Sequence, residues 1–233
     1  MCGIAGLVAS RPISDEPVRR MVDAMRHRGP DDAGVGAPTA GVVLGSTRLS
    51  IIDLSPAGHQ PMADDSGRLW IVFNGMIYNF QELRTDLEAR GHRFRSHSDT
   101  EVVLQAYTEW GADCVHRLRG MFAFAVFDGR GRNPEGEGPA VFLARDHLGI
   151  KPLYFAVRDG VLAFASEVRA LLSSGLVPRA ISPQGLAAYL LWGSVAEPMT
   201  LVDGIRSVPP GHRMLIHLGS EALEASPKPY WHL

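Results

Sequence analysis

MCGIAGLVAS, residues 1–10, opens the chain with a run that is apolar and glycine-punctuated over its first eight residues. Such a run predicts a short buried strand that begins at the terminus itself and sets Met1 and Cys2 against the fold. The position of Cys2 has chemical weight. A small second residue permits removal of the initiator methionine, and removal here would leave a cysteine carrying a free α-amine. Nucleophile and base would then share one residue. A thiol has a reference pKa of ~8.5 and an α-amine one of ~7.7–8.0, so the amine is partly neutral at pH 7 and can take the thiol proton, directly or through one water. The competing reading is a small buried hydrophobe, the usual fate of a free cysteine.

Outward from that strand, Val18, Met21, Val22 and Met25 recur at helical spacing, and the turn His27-Arg28-Gly29-Pro30-Asp31-Asp32 ends that helix. Strands are predicted over 41–49 and 68–73, the second followed by Asn74-Gly75, a strong hairpin signal. Asn79-x-x-Glu82 and Ser98-x-x-Glu101 have the capping-box pattern and open helices that end near Gly91 and Trp110. Beyond Gly120 the period shortens, which predicts strands over 122–128, 140–145, 153–157 and 161–165, with an exposed Gly- and Pro-rich connector over 129–139. Helices over 167–172 and 183–191, a late strand over 213–218 and a linker or docking tail over 226–233 complete the pattern. Strand meanders with helices before and after them predict an α+β architecture, because parallel βαβ units would alternate regularly.

The 233 residues carry a formal charge of −2, with 45% hydrophobic and 21% charged side chains, the composition of an ordinary globular domain. There is no broad positive field of the kind that nucleic-acid binding requires. The longest apolar run, near Met121 to Phe127, falls well short of the ~20 residues that span a bilayer, so no membrane partner is expected. The opening residues lack the basic stretch of a secretory leader, which predicts a cytoplasmic location. Cys2 and Cys114 are the only cysteines, too few for a disulfide framework or a C-x-x-C zinc site, and Cys114 reads as core. His92 and His97 near Asp99 lack strong metal-ligand spacing, and Gly34-Val35-Gly36 lacks the third glycine of a dinucleotide loop.

Nine ordered blocks carry a resemblance: MCGIAG, RHRGPDD, RLSIIDLSPAGHQPM, FNGMIYNFQELR, HSDTEVVLQAY, LRGMFAFAVFD, LARDHLGIKPLYF, FASEVRALL and VPPGH. From end to end the chain resembles the N-terminal glutaminase domain of asparagine synthetases, which are class II glutamine amidotransferases of the N-terminal-nucleophile (Ntn) hydrolase superfamily. The resemblance implies a four-layer αββα sandwich of two antiparallel sheets. It implies glutamine hydrolysis to glutamate and ammonia through a thioester on Cys2, with the ammonia passed to a synthetase module for asparagine biosynthesis. Asn74 and Gly75 match the oxyanion hole, Arg48 the partner of the substrate α-carboxylate, Leu49, Ser50, Ile51 and Ile52 its backbone contacts, and Asp99 the holder of the ammonium. On the residues alone, Asn74-Gly75 is equally a type I′ turn, Arg48 a strand-end arginine, and Asp99 an acid that complements a helix dipole.

One position departs from the family, whose motif reads Asn-Gly-Glu where this chain has Met76. Loss of a charge-assisted hydrogen bond of ~1.5–3 kcal/mol predicts roughly 10- to 150-fold weaker glutamine binding. The alternative function is therefore a catalytically weak or idle binding module on the same fold, made so by Met76 or by retention of Met1. Residues 28–31, 59–61 and 145–154 match family blocks and read as architecture. The Ser-Gly-Gly-x-Asp-Ser nucleotide loop of the synthetase domain is absent. Residues 1–212 are accordingly expected to form the amidotransferase domain and 213–233 its last strand and a tail leading toward a synthetase domain. No cofactor or metal is expected on this chain, ATP and Mg belonging to that domain. The expected partners are L-glutamine and a synthetase domain or partner chain, with a homodimer as a further option.

Overall fold

The structure, a computed structural model, describes residues 1–133, 136–219, 223 and 225–232. In chain order its first half carries β1 (Gly3–Ala9), α1 (Glu16–Ala24), β2 (Asp32–Thr39), β3 (Val42–Arg48), β4 (Met62–Ala63), β5 (Leu69–Ile77), α2 (Phe80–Ala89) and α3 (Asp99–Trp110). The second half carries β6 (Gly120–Asp128), β7 (Arg132–Asn133), β8 (Gly136–Glu137), β9 (Ala140–Arg145), β10 (Tyr154–Arg158), β11 (Val161–Ala165), α4 (Val168–Ser173), α5 (Pro183–Trp192), β12 (Arg206–Ser207), β13 (His212–His217) and β14 (Lys228–Pro229).

Two antiparallel sheets follow, in the orders β12-β10-β11-β1-β3-β2 and β14-β13-β9-β6-β5-β4. Side chains in β1 alternate with the two-residue period of a strand. Ile4 and Val8 point into the apolar layer between the sheets, with Leu44, Val72, Leu143 and Phe164. Ala5, Leu7 and Ala9 point the other way, onto Val18, Met21 and Met25 of α1 and its C-cap and Leu171 of α4. The outer face of the second sheet packs Phe124 and Phe142 against Leu87, Val103 and Tyr107 of α2 and α3. The order is helix, sheet, sheet, helix: the αββα sandwich that the resemblance implies. A strand covered on both faces reads as a continuous apolar run, which is why residues 1–10 show no polar alternation.

Several local expectations are corrected. Asn74-Gly75 forms no hairpin; β5 runs straight through it, with Asn74 opposite Ala123 and Gly75 opposite Phe122 of β6. A type I′ turn needs positive φ at both central residues, and the pair that has it is Asp159-Gly160, at 50° and 72°, between β10 and β11. Gly75 has a packing reason instead: a Cβ there would lie 2.5 Å from Met121 O. Residues 32–39, for which the pattern predicts no strand, form edge strand β2, too rich in Gly and Pro to show alternation. Asn79 does not cap α2; its amide donates to Arg117 O at 3.0 Å and its carbonyl accepts from Arg119 N at 3.0 Å, because the approach to β6 needs those bonds. Ser98 does cap α3, accepting from Thr100 N at 3.1 Å, while Glu101 accepts from the backbone N–H groups of Arg95 and Ser96 rather than that of Ser98.

The connector over 129–139 holds the small β7–β8 pairing, its residues 134 and 135 lying outside the described residues. The stretch from residue 213 holds more than a last strand and tail. β13 starts at His212, pairs with β9 inside the second sheet, and is followed by β14 at its edge. Tyr230 Oη then donates to Arg145 O at 2.7 Å, so the expected linker is sewn onto the sheet. Among the described residues no helix is long and apolar enough to cross a membrane.

Candidate active site

A cavity of about 160 Å³ opens where the N-terminus of β1, the C-terminal end of β3, the middle of β5 and the first turn of α3 converge. Nine of the ten residues singled out in the sequence line it: Cys2, Arg48, Leu49, Ile51, Ile52, Asn74, Gly75, Met76 and Asp99. Ser50 is not on the wall, and its backbone N–H donates to Asp31 Oδ2 at 2.8 Å.

Cys2 stands directly ahead of central strand β1, half-buried, with its thiol donating to Leu49 O at 3.7 Å. Its carbonyl accepts from Arg28 Nε at 2.9 Å, and Arg28 Nη1 pairs with Glu167 Oε1 at 3.0 Å. Burial raises the pKa of Glu167, but hydrogen bonds from Arg28, Arg169 and His27 outweigh it and hold the carboxyl below its ordinary range. The main chain of Cys2 is thereby tied to a charged clamp reaching from the end of α1 to the start of α4. Met1 is 60% exposed and lies at the cavity wall, its sulfur accepting from Lys151 Nζ at 3.7 Å.

Asn74 is 1% exposed, and its Nδ2 is buried without a hydrogen-bond partner. A buried donor left unpaired costs ~1–3 kcal/mol, so a fold that keeps one on a cavity wall holds it ready for an acceptor that arrives from outside. An oxygen bound in the cavity that Cys2 also lines is an acceptor it could meet.

The charged ends of the cavity are built by packing. Arg48, 8% exposed, donates to Asp53 O and, at 3.2 Å, to Ser55 O, which curls residues 49–55 around its guanidinium. Asp53 accepts from Ser55 N and His97 N at 2.8 Å each. The Ser55 hydrogen bond most of all, with those from His97 and the Arg48 charge, takes its carboxyl down to about 2 in spite of burial. That stitch ties the loop to the residue pair preceding Asp99. Gln60 completes the frame: its Oε1 accepts from Phe73 N at 2.7 Å and its Nε2 donates to Thr100 Oγ1 at 3.2 Å.

Burial pushes the Asp99 carboxyl up to about 6, against the N–H groups of Ile77, Thr100 and Asp99 itself, which pull it down. Its folded value lies above the ordinary 3.8, so the ionised group opposes folding, and stability from this site falls as pH rises from about 4 to about 6. Asp99→Asn is therefore expected to raise stability at pH 7 in urea melts, by up to about 3 kcal/mol, while weakening binding of an α-ammonium ligand. A ligand that carries an α-ammonium should bind more tightly as pH rises through about 6; a flat calorimetric profile over that range would remove Asp99 from the ligand.

A family model described as a glutamine amidotransferase domain matches residues 1–231. The chain belongs to the glutamine amidotransferase family. This amidotransferase domain is 37% identical over 220 residues to the glutamine-hydrolyzing asparagine synthetase 3 of Bacillus subtilis, covering 92% of this chain and 34% of that protein. It is 39% identical over 233 residues to a putative glutamine-hydrolyzing asparagine synthetase of Mycobacterium tuberculosis, covering 91% of this chain and 34% of that protein. The chain thus spans about a third of the length of these curated relatives. Among solved structures, glutamine phosphoribosylpyrophosphate amidotransferase from B. subtilis, complexed with ADP and GMP, shares the fold at a TM-score of 0.69. That likeness comes with 17% identity over 97% of this chain and 49% of that one.

Lys151, Gln60 and Asp53 also line the cavity of the amidotransferase domain, though the blocks that hold the first two read as architecture. The missed signal at Lys151 was a lone cation inside the apolar run LGIKPLYF, too deep for an ordinary surface lysine. Among the described residues no group of three or more His, Cys, Asp or Glu could hold a metal ion.

Proposed function

We propose that this domain hydrolyses glutamine to glutamate and ammonia with Cys2 as nucleophile, after Met1 is removed. The observation that carries the reading is the unpaired, buried amide of Asn74 on the wall that also holds the Cys2 thiol. The freed α-amine of Cys2 takes the Sγ proton, and the sulfur adds to the side-chain carboxamide carbon. The resulting tetrahedral oxyanion accepts hydrogen bonds from Asn74 Nδ2 and the Gly75 N–H. Collapse breaks the C–N bond, the protonated amine hands its proton to the departing nitrogen, and ammonia leaves a thioester. Water, deprotonated by the same amine, adds to the thioester and expels the thiolate, which is reprotonated as glutamate is released. Arg48 and Asp99 hold the α-carboxylate and α-ammonium. Intact mass to verify loss of Met1, together with glutamate release from glutamine, tests the reading; a clipped protein without turnover would overturn it.

The ammonia is proposed to serve an asparagine synthetase-type module, on the same polypeptide or on a partner chain. Support comes from the glutamine-hydrolyzing asparagine synthetases among the relatives, of which this domain covers about a third. Free ammonia equilibrates with bulk water, so the acceptor has to be docked.

Met76 lines the cavity where the family carries a second carboxylate. Met76→Glu is expected to lower the KM for glutamine at least ~10-fold with little change in kcat, since a hydrogen bond to a charged group is gained in ground and transition states alike. Steady-state kinetics check this, and an unchanged KM would place residue 76 away from the ammonium.

A further inference from the structure

Lys151 lies on the cavity wall with Cys2 and is 6% exposed. Among the described residues Lys151 takes part in no ion pair, and the hydrogen-bond acceptor of its ammonium is the Met1 thioether at 3.7 Å. A thioether is a weak acceptor, and an ammonium taken this far from water without a counter-ion is costly. Removal of Met1 strips away even that contact and leaves the charge on the cavity wall that Cys2 also lines. The placement is deliberate at the backbone level. Asp146 accepts from Phe122 N, Leu148 N, Ile150 N and Lys151 N at 2.9–3.2 Å, and Arg145 Nε donates to Lys151 O at 2.8 Å. The Asp146 carboxylate is thus spent on main-chain groups rather than on Nζ.

We infer that Lys151 is a positioning residue for the nucleophile, its positive charge favouring the Cys2 thiolate and disfavouring protonation of the adjoining α-amine. The inference rests on the reading of Cys2 as nucleophile given above. The other charged groups around this point leave that task to Lys151. Arg28 reaches Cys2 through its carbonyl, and its charge is matched by Glu167. Arg48 is held by the carbonyls of Asp53 and Ser55, and Arg145 pairs with Glu197 at 2.9 Å. Asp99 and Asp53, the acids of the cavity, are bonded to backbone N–H groups. Burial lowers the pKa of Lys151 and the Arg28 charge lowers it further, while Cys2 and Asp146 oppose both.

The test is the pH dependence of iodoacetamide alkylation at Cys2 in clipped wild type, Lys151→Gln, Lys151→Met and Lys151→Arg. Cys114 is fully buried and its thiol is pushed far up by burial, so it stays silent in this assay. Neutral replacements leave no carboxylate unpaired and keep the backbone bonds to Asp146, and far-UV dichroism with thermal melts verifies the fold. The alkylation midpoint should rise by about one pH unit in the Gln and Met variants and return toward the wild-type value in the Arg variant. The acidic limb of kcat/KM should move up with it, because the same cation acts on thiol and amine in the same sense. A midpoint unmoved in folded Gln and Met variants would overturn the inference. Alkylation needs no glutamine, so the two readings fail separately: turnover with an unmoved midpoint removes only the Lys151 role, whereas a Lys151-sensitive midpoint without turnover removes only the glutaminase.

Discussion

Cys2→Ala should abolish glutamate release from glutamine, lowering kcat by ~10⁴–10⁶-fold, the range seen when a covalent nucleophile is deleted from an otherwise intact site. The change is local. The thiol's contact with the protein is one long hydrogen bond to Leu49 O, and the Cys2 carbonyl keeps its bond from Arg28 whatever the side chain. Melting temperature should therefore move little, and glutamine should still bind, since Arg48 and Asp99 are untouched. A glutamate assay alongside calorimetric titration with glutamine separates the chemical step from binding. A glutamine-like electrophile should label wild type and miss the variant. Equal rates for the two proteins would end the proposed mechanism, whatever the fold.

Asn74→Ala should lower kcat by ~10²–10³-fold with a small change in KM, because in the proposed mechanism its amide meets an oxygen whose charge develops only after attack. A purely structural Asn74 would behave differently. Its loss would then break a bond inside the protein and appear as lower stability with near-normal turnover. The Nδ2 has no such bond to break, so the expected signature is a large kinetic defect with a modest shift in melting. Steady-state kinetics and a thermal melt on the same preparation decide between the two. A variant that melts much earlier and turns over normally would reassign Asn74 to the scaffold.

How much of this was legible in the sequence varies by residue. The opening strand was legible because burial on both faces leaves an apolar run, and so was α3, whose Ser98 cap is local chemistry. Asn74-Gly75 misled because a dipeptide signal is blind to partners. What keeps it extended is pairing with β6, and what demands glycine is the approach of Met121 O, both supplied from far along the chain. Strand β2 was hidden by its Gly and Pro content and exists because β3 offers an edge. The site fared better through its nine blocks than through any pattern, since no periodicity says that Cys2, Arg48, Asn74 and Asp99 meet. Lys151 was passed over because its one local signal, a lone cation in the apolar run LGIKPLYF, does not say which cavity it faces.

If Cys2 works through its own freed amine as proposed, the sulfur of Met1 resting on Lys151 belongs to a dormant form with the logic of a zymogen. In the proposed mechanism, a retained Met1 locks the base in a peptide bond and keeps a side chain on the cavity wall, so hydrolysis would start only after that residue is removed. Any extension ahead of residue 1, such as an affinity tag or a fusion partner, would preserve the dormant form. Recombinant material meant to be active has to carry its handle elsewhere.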